Sequence, residues 1–107
     1  INESAETVVL EADKTAPIGL IINELVTNAA KHINDRKLKI SINVEIQHNN
    51  YIFLEVKDNG PGIPENVDKS RSFGLSLVDT LTHQLRAESN FFNKDGAVFQ
   101  FIIPYRS

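Results

Sequence analysis

The chain has 107 residues, the size of one compact domain, and can bury a hydrophobic core without disulfides or a structural metal. It contains no cysteine, which excludes disulfide scaffolds and cysteine-ligated zinc and is consistent with a reducing cytoplasm. The net charge of −3 comes from interspersed acidic and basic residues, which argues against nucleic acid or an anionic membrane as the main partner.

The chain as a whole is interpreted as one domain, residues 1–107, cut from a longer protein, because it begins at Ile1 and contains no Met. No apolar stretch approaches the ~20 residues of a membrane helix. We therefore expect this domain to be cytoplasmic, whether or not a membrane anchors the full protein.

The first predicted helix follows a short β-rich segment at residues 7–10, which predicts an opening strand. Thr15 is a typical N-cap, and Pro17 fits the first turn, where its missing N–H costs no hydrogen bond. Apolar residues then recur every three or four positions, so we expect the helix to reach about residue 33. The stripe expected to face the core consists of Ile18, Ile22, Leu25, Ala29 and Ile33.

The clearest strand lies at residues 38–46, where apolar and polar side chains alternate and predict one buried and one polar face. A loop at residues 47–50 and a returning strand at residues 51–57 complete a hairpin. The glycines and prolines of residues 58–64 then interrupt regular structure.

The second half of the chain predicts a helix from about Phe73 or Gly74 to about Leu85 or Arg86, followed by a hairpin of residues 87–92 and 97–104. The helix is expected to bury Leu77, Val78, Leu81 and Leu85. This order of elements predicts an α+β fold: a two-layer sandwich whose mixed, mostly antiparallel sheet carries the helices on one face.

Three segments carry residues suited to a nucleotide. Glu24, Asn28 and Lys31 lie within about 60° of each other on the first helix, and oxygen ligands of this kind suit magnesium bound to phosphates. Asp58 ends a strand just before a glycine-rich turn, where a carboxylate can accept from the amine of adenine. Gly74 opens the second helix, whose N-terminal N–H groups suit phosphate. Each segment alone also fits ordinary structure: a solvated helix edge, an Asx turn and a glycine before a helix.

Together, the segments NELVTNAAKH (23–32), DNGPGIP (58–64) and FGLSLV (73–78) resemble the N box and the two glycine boxes of the GHKL ATPases. That superfamily includes DNA gyrase, the Hsp90 chaperone and histidine kinases, and it shares the Bergerat fold. The segment APIGLIINEL (16–25) and the short stretch between Ile63 and Gly74 look like the short-lid variant of bacterial histidine kinases. The resemblance implies the ATP-binding catalytic domain of a sensor histidine kinase, with ATP and Mg²⁺ as cofactors.

The resemblance also implies roles for individual residues. Asn28 would coordinate the magnesium ion, Lys31 would contact phosphate oxygens, and His32 would lie near the phosphate or the ribose. Asp58 would hold the adenine amine, and Glu24 would be the general base that polarises the attacking imidazole. The pocket floor and the phosphate-binding N–H groups would come from Gly60, Gly62, Ile63, Gly74 and Leu75.

The partners implied are a histidine-containing dimerisation domain of the same protein and a downstream response regulator, since no histidine here resembles the phosphate acceptor. His32 falls in the expected pocket, His48 in a hairpin loop, and His83 on a helix without an acidic neighbour in the sequence beside it.

Three departures from the family pattern are expected to weaken nucleotide binding. The lid between Ile63 and Gly74 is short and has no obvious aromatic box. Ala97 replaces the threonine that usually follows Gly96, and Arg86-Ala87 replaces a glycine pair. Losing one neutral hydrogen bond would cost about 1 kcal/mol.

Two alternatives remain open at this point. One is an anti-sigma-factor serine kinase, which shares the three boxes and a short lid. The other is a degenerate module that binds a nucleotide or a partner without catalysis, a hypothesis that Ala97 and the altered glycines motivate.

Overall fold

The computed structural model describes residues 10–32, 37–47, 50–63 and 75–105, and for His32 it describes the backbone alone. The chain forms α1 (Ala12–His32), β1 (Ile40–Gln47), β2 (Tyr51–Asp58), α2 (Leu75–Gln84), β3 (Glu88–Asn93) and β4 (Ala97–Pro104). The expected end of the first helix at Ile33, the segment 64–74 and most of the opening strand lie outside the described residues.

The four described strands form one sheet in the order β1-β2-β4-β3, and all three pairings are antiparallel. Because partners across the strands share a face, the inward side chains of β2 and β4 form one continuous apolar surface. Both helices pack on this surface, so the predicted α+β sandwich is confirmed. The buried core comprises Ile21, Leu25, Val78, Leu81 and Leu85 from the helical layer and Leu54, Val56, Phe99, Phe101 and Ile103 from the sheet.

The start of α1 differs from the prediction. The helix begins at Ala12, one turn earlier than expected, and Thr15 is a helical residue rather than the N-cap. The carbonyl oxygen of Glu11 accepts the N–H groups of Lys14 and Thr15 at 2.9 and 3.0 Å, and the hydroxyl of Thr15 donates to it at 3.1 Å. These bonds close a turn ahead of Pro17, which removes a single N–H from the helix.

Two predicted burial patterns are also corrected. Leu77 is 42% exposed, because the inward stripe of α2 runs through Val78, Leu81 and Thr82. The buried hydroxyl of Thr82 donates to the carbonyl oxygen of Val78 at 2.7 Å, which satisfies it inside the helix. On β1, Ile42 is 46% exposed although it lies on the same face as Val56, because β1 is the outer strand of the described sheet.

Neither helix in the described part of the chain combines the length and the apolar character needed to cross a bilayer.

Candidate functional site

Asp58 is held in place by the backbone at the end of β2. Its Oδ1 accepts the N–H of Gly60 at 2.8 Å and the N–H of Ala97 at 3.3 Å. From the described residues, its Oδ2 accepts no hydrogen bond. The half-buried carboxylate therefore has a fixed orientation and one oxygen available to a ligand that donates a hydrogen bond.

The turn after Asp58 is closed by a residue that the sequence analysis did not single out. Asn93, at the end of β3, accepts the N–H of Ile63 on Oδ1 at 2.7 Å, and its Nδ2 donates to the carbonyl oxygen of Ile63 at 3.1 Å. Gly62 adopts a φ of +95°, and a Cβ on it would lie 2.9 Å from the Asn93 Oδ1. The side chain of Asn93 therefore fills the space that a side chain at position 62 would need.

The tip of the β3–β4 hairpin lies directly against the backbone of Asp58. Gly96 has a φ of +134°, and a Cβ added there would lie 1.9 Å from the carbonyl oxygen of Asp58. No side chain fits such a gap, so a glycine is required for the hairpin to reach the turn. The Gly-Thr pattern of the resembling family points to this position but does not reveal the contact between Gly96 and Asp58.

Asn59 connects the turn to the segment that follows α1. Its Oδ1 accepts the N–H of Lys39 at 2.8 Å, and its Nδ2 donates to the carbonyl oxygen of Lys37 at 2.9 Å. Five residues span at most about 18 Å, so the end of α1 at His32 lies within that distance of Lys37. The C-terminal end of α1 therefore lies within about 18 Å of the segment that Asn59 holds.

The polar trio of α1 extends from the interior to the solvent. Asn28 is 4% exposed, Glu24 is half-buried and Lys31 is exposed. The amide oxygen of Asn28 is a hard ligand of the kind that magnesium accepts. Among the described residues, no three His, Cys, Asp or Glu side chains form a cluster that could hold a metal. A single amide oxygen from the protein fits a magnesium ion whose other ligands are phosphates and water, as is usual for this ion.

The remaining predicted site residues are placed only in part. Gly60, Gly62 and Ile63 are buried, and Ile63 belongs to the hydrophobic core. Leu75 is the first residue of α2, where backbone N–H groups have no partner within the helix. The side chain of His32 and all of Gly74 lie outside the described residues.

The structure also corrects the description of His83. Its Nδ1 lies 3.8 Å from the Oδ2 of Asp79, one helical turn earlier, so an acidic neighbour is present. Both side chains are highly exposed, at 78% and 68%, so solvent screens the pair.

Arg86, which replaces a glycine of the family pattern, lies just after the C-terminal end of α2. Arg86 has a φ of 56°, its N–H donates to the carbonyl of His83, and the N–H of Ala87 donates to the carbonyl of Thr82. This is the hydrogen-bond pattern of a Schellman C-cap, in which glycine is the usual residue.

Comparisons with known proteins bear on the family and on the fold. A sequence profile described as "Histidine kinase-, DNA gyrase B-, and HSP90-like ATPase" matches residues 13–107. Blue-light-activated histidine kinase 2 of Erythrobacter litoralis is 31% identical over 94 residues, which are 84% of this chain and 27% of that protein. The sensor histidine kinase PdtaS of Mycolicibacterium smegmatis is 34% identical over 86 residues, 76% of this chain and 17% of that protein.

Solved structures show the same fold. The blue-light-activated histidine kinase EL346 of Erythrobacter litoralis superposes with a TM-score of 0.81 at 27% identity, covering 94% of this chain and 33% of that one. The catalytic domain of the histidine kinase ThkA superposes with a TM-score of 0.66 at 25% identity, covering 84% of this chain and 67% of that one. The chain thus spans about a quarter or less of the length of the curated relatives it matches.

Proposed function

Because the chain belongs to the histidine kinase-, DNA gyrase B- and HSP90-like ATPase family, we propose that it binds Mg-ATP and donates the γ-phosphate to a histidine. The histidine belongs to a separate dimerisation domain of the same protein, and a response regulator acts downstream. The family implies nucleotide binding, and the relatives named above are sensor histidine kinases. The magnesium ion, the transfer step and the residue roles are the proposal.

The observation that carries the proposal is the orientation of Asp58. Two backbone N–H groups hold its Oδ1, and its Oδ2 accepts nothing from the described residues. A fixed carboxylate oxygen accepts a hydrogen bond from the exocyclic amine of adenine and repels the carbonyl oxygen that guanine carries at that position. The buried glycines of the turn allow the backbone to approach the flat base closely.

The phosphates would lie towards the C-terminal end of α1. Asn28 would offer its amide oxygen to magnesium, and the exposed ammonium of Lys31 would bind phosphate oxygens together with His32. Gly74 and Leu75 would add backbone N–H groups at the start of α2. Magnesium, when bound, neutralises phosphate charge during transfer.

In the transfer step, an imidazole nitrogen of the acceptor histidine attacks the γ-phosphorus while the bond to the bridging β–γ oxygen breaks, and ADP leaves. The proton of the attacking imidazole passes to Glu24, which is half-buried one turn before Asn28 on α1. Most of the work of the domain is therefore to position ATP and to balance its charge.

The alternative of a binding module without catalysis rests on Ala97. Its side chain has no hydroxyl for the nucleotide, but its backbone N–H still holds Asp58 at 3.3 Å. A noncatalytic module would bind ATP and transfer nothing. A transfer assay separates the two: with radiolabelled ATP the chain alone should remain unlabelled, and label should appear on the protein's own dimerisation domain when that domain is added.

The nucleotide site is tested by Asp58→Ala, with Asp79→Ala as the matched control because Asp79 is an exposed acid on α2. Calorimetry should show that the unsubstituted chain prefers ATP over GTP. Losing a hydrogen bond to a charged group should weaken ATP binding by roughly 10- to 100-fold in Asp58→Ala. Circular dichroism should confirm that the fold persists. An affinity for ATP equal to that of the Asp79→Ala control would refute the assignment of the pocket.

A further inference from the structure

The end of β3 carries a polar side chain that the function proposed above does not use. Asn93 is an exposed residue, yet both polar atoms of its side-chain amide bond the backbone of one residue, Ile63, at 2.7 and 3.1 Å. A side-chain amide that bonds both the N–H and the carbonyl of a single residue imitates one rung of an antiparallel ladder. The Asn93 side chain thus continues the hydrogen bonding of β3 to Ile63, in a turn that has no regular structure.

The same amide faces the glycine at which the turn bends. Gly62 has a positive φ of +95°, and its Cα lies so close to Asn93 that an added Cβ would be 2.9 Å from Oδ1 and 3.0 Å from Cγ. Asn93 is therefore packed against the bend as well as hydrogen-bonded beyond it.

The strand that carries Asn93 also leads to the other end of the turn. Asn93 pairs with Ala97 across the β3–β4 hairpin, and the N–H of Ala97 bonds the Oδ1 of Asp58. One hairpin end thus holds the turn at its first residue, through Ala97, and at its last described residue, Ile63, through Asn93. The distance between the Asp58 carboxylate and the backbone of Gly62 depends on both attachments.

We propose that Asn93 is a positioning residue of the nucleotide site, which clamps the glycine turn so that Asp58 and the backbone around Gly62 are spaced for a purine base. This inference rests on the proposed function, because it assigns the clamp to base binding. The clamp favours binding for an entropic reason, because a turn rich in glycine loses more backbone freedom on ordering than any other. Without the clamp, the ligand itself would have to order the turn, and this cost would lower its affinity.

The experiment compares Asn93→Ala with Asn90→Ala. Asn90 is the same residue type on the same strand, but its side chain lies on the opposite face, where Nδ2 is 3.5 Å from the Oε1 of Gln100. Titrations followed by NMR give the dissociation constants of adenosine and Mg-ATP for each variant and for the unsubstituted chain. Hydrogen exchange of the Ile63 amide is measured without ligand, at a temperature at which all three proteins are folded.

We expect Asn93→Ala to weaken adenosine and Mg-ATP by the same factor, roughly 5- to 30-fold for two neutral hydrogen bonds at a partly exposed site. The Ile63 amide should exchange at least about 5-fold faster in this variant, because its acceptor is gone. Asn90→Ala should change neither quantity. If Asn93 clamps the base-binding turn, its loss should raise the dissociation constants of adenosine and Mg-ATP by the same factor. A general loss of stability would not produce this result in a fully folded protein.

Unchanged adenosine affinity in Asn93→Ala would overturn the inference, and so would a loss confined to Mg-ATP. If the unsubstituted chain bound neither ligand, the proposed function itself would fail. If it bound both and Asn93→Ala bound them equally well, only the role of Asn93 would be wrong.

Discussion

Replacing Gly96 by alanine tests whether the close contact between the β3–β4 hairpin and Asp58 is required. The added Cβ would lie 1.9 Å from the carbonyl oxygen of Asp58, whereas real Cβ atoms essentially never come within 3.0 Å of such a neighbour. The two backbone segments would have to separate by about 1 Å, which overpacks a tight contact at a cost of about 1–3 kcal/mol. The φ of +134° adds about 1–2 kcal/mol for a residue with a side chain.

We therefore expect Gly96→Ala to lower the free energy of unfolding by about 2–5 kcal/mol, which corresponds to a fall in Tm of roughly 10–30 °C. Calorimetry without nucleotide measures both quantities. Gly19→Ala is the matched control, since a Cβ there meets nothing within 4 Å and lies inside α1, where alanine is favoured by about 0.5–1 kcal/mol. A Gly96→Ala protein with the Tm of the unsubstituted chain would refute the requirement for glycine at this contact.

Two further predictions concern the helices. Asn28→Ala should raise the dissociation constant of ATP roughly 10-fold in the presence of Mg²⁺ and leave it unchanged in EDTA, because the amide oxygen binds ATP only through the magnesium on its phosphates. An unaltered magnesium titration would count against the ligand role of Asn28. Arg86→Gly should raise the free energy of unfolding in urea by about 0.5–1 kcal/mol, since Arg86 has a φ of 56° that glycine adopts without strain. A lower free energy of unfolding would contradict this account of the C-cap of α2.

The sequence was a good guide to the order and type of the described elements, because alternation and helical periodicity report on burial. Residues 51–57 and 97–104 were assigned as strands and form β2 and β4, to within one residue at each end. Burial was mispredicted where a neighbour decides it. Ile42 has the right alternation but lies on the outer strand of the described sheet, and Leu77 is apolar but lies one position outside the inward stripe of α2. Periodicity along one element cannot show which elements pack on it.

The residues of the candidate site also fall into two groups: those that the local sequence suggests and those whose roles depend on distant contacts. Asp58 and the glycines after it became site candidates because their segment occurs together with the two others that resemble the GHKL boxes. The contacts of Asn93 and Gly96 could not be inferred from the local sequence, because they join residues 30 and 38 positions apart along the chain, Asn93 with Ile63 and Gly96 with Asp58. An asparagine and a glycine at a hairpin are ordinary turn residues, and nothing local distinguishes a clamp from a turn.

Ala97 shows what the backbone contributes at a position where the side chain departs from the family pattern. The sequence analysis expected a lost contact there, because an alanine has no hydroxyl to offer the nucleotide. The N–H of Ala97 nevertheless reaches the Oδ1 of Asp58, and the absence of a side chain at Gly96 brings it close enough. The orientation of the carboxylate therefore depends on where the hairpin backbone lies, and this contact uses the N–H of residue 97 and no atom of its side chain. By this reasoning, any nucleotide affinity lost through Ala97 is limited to one hydrogen bond, about 1 kcal/mol, and Asp58 keeps the geometry on which the proposed base recognition depends.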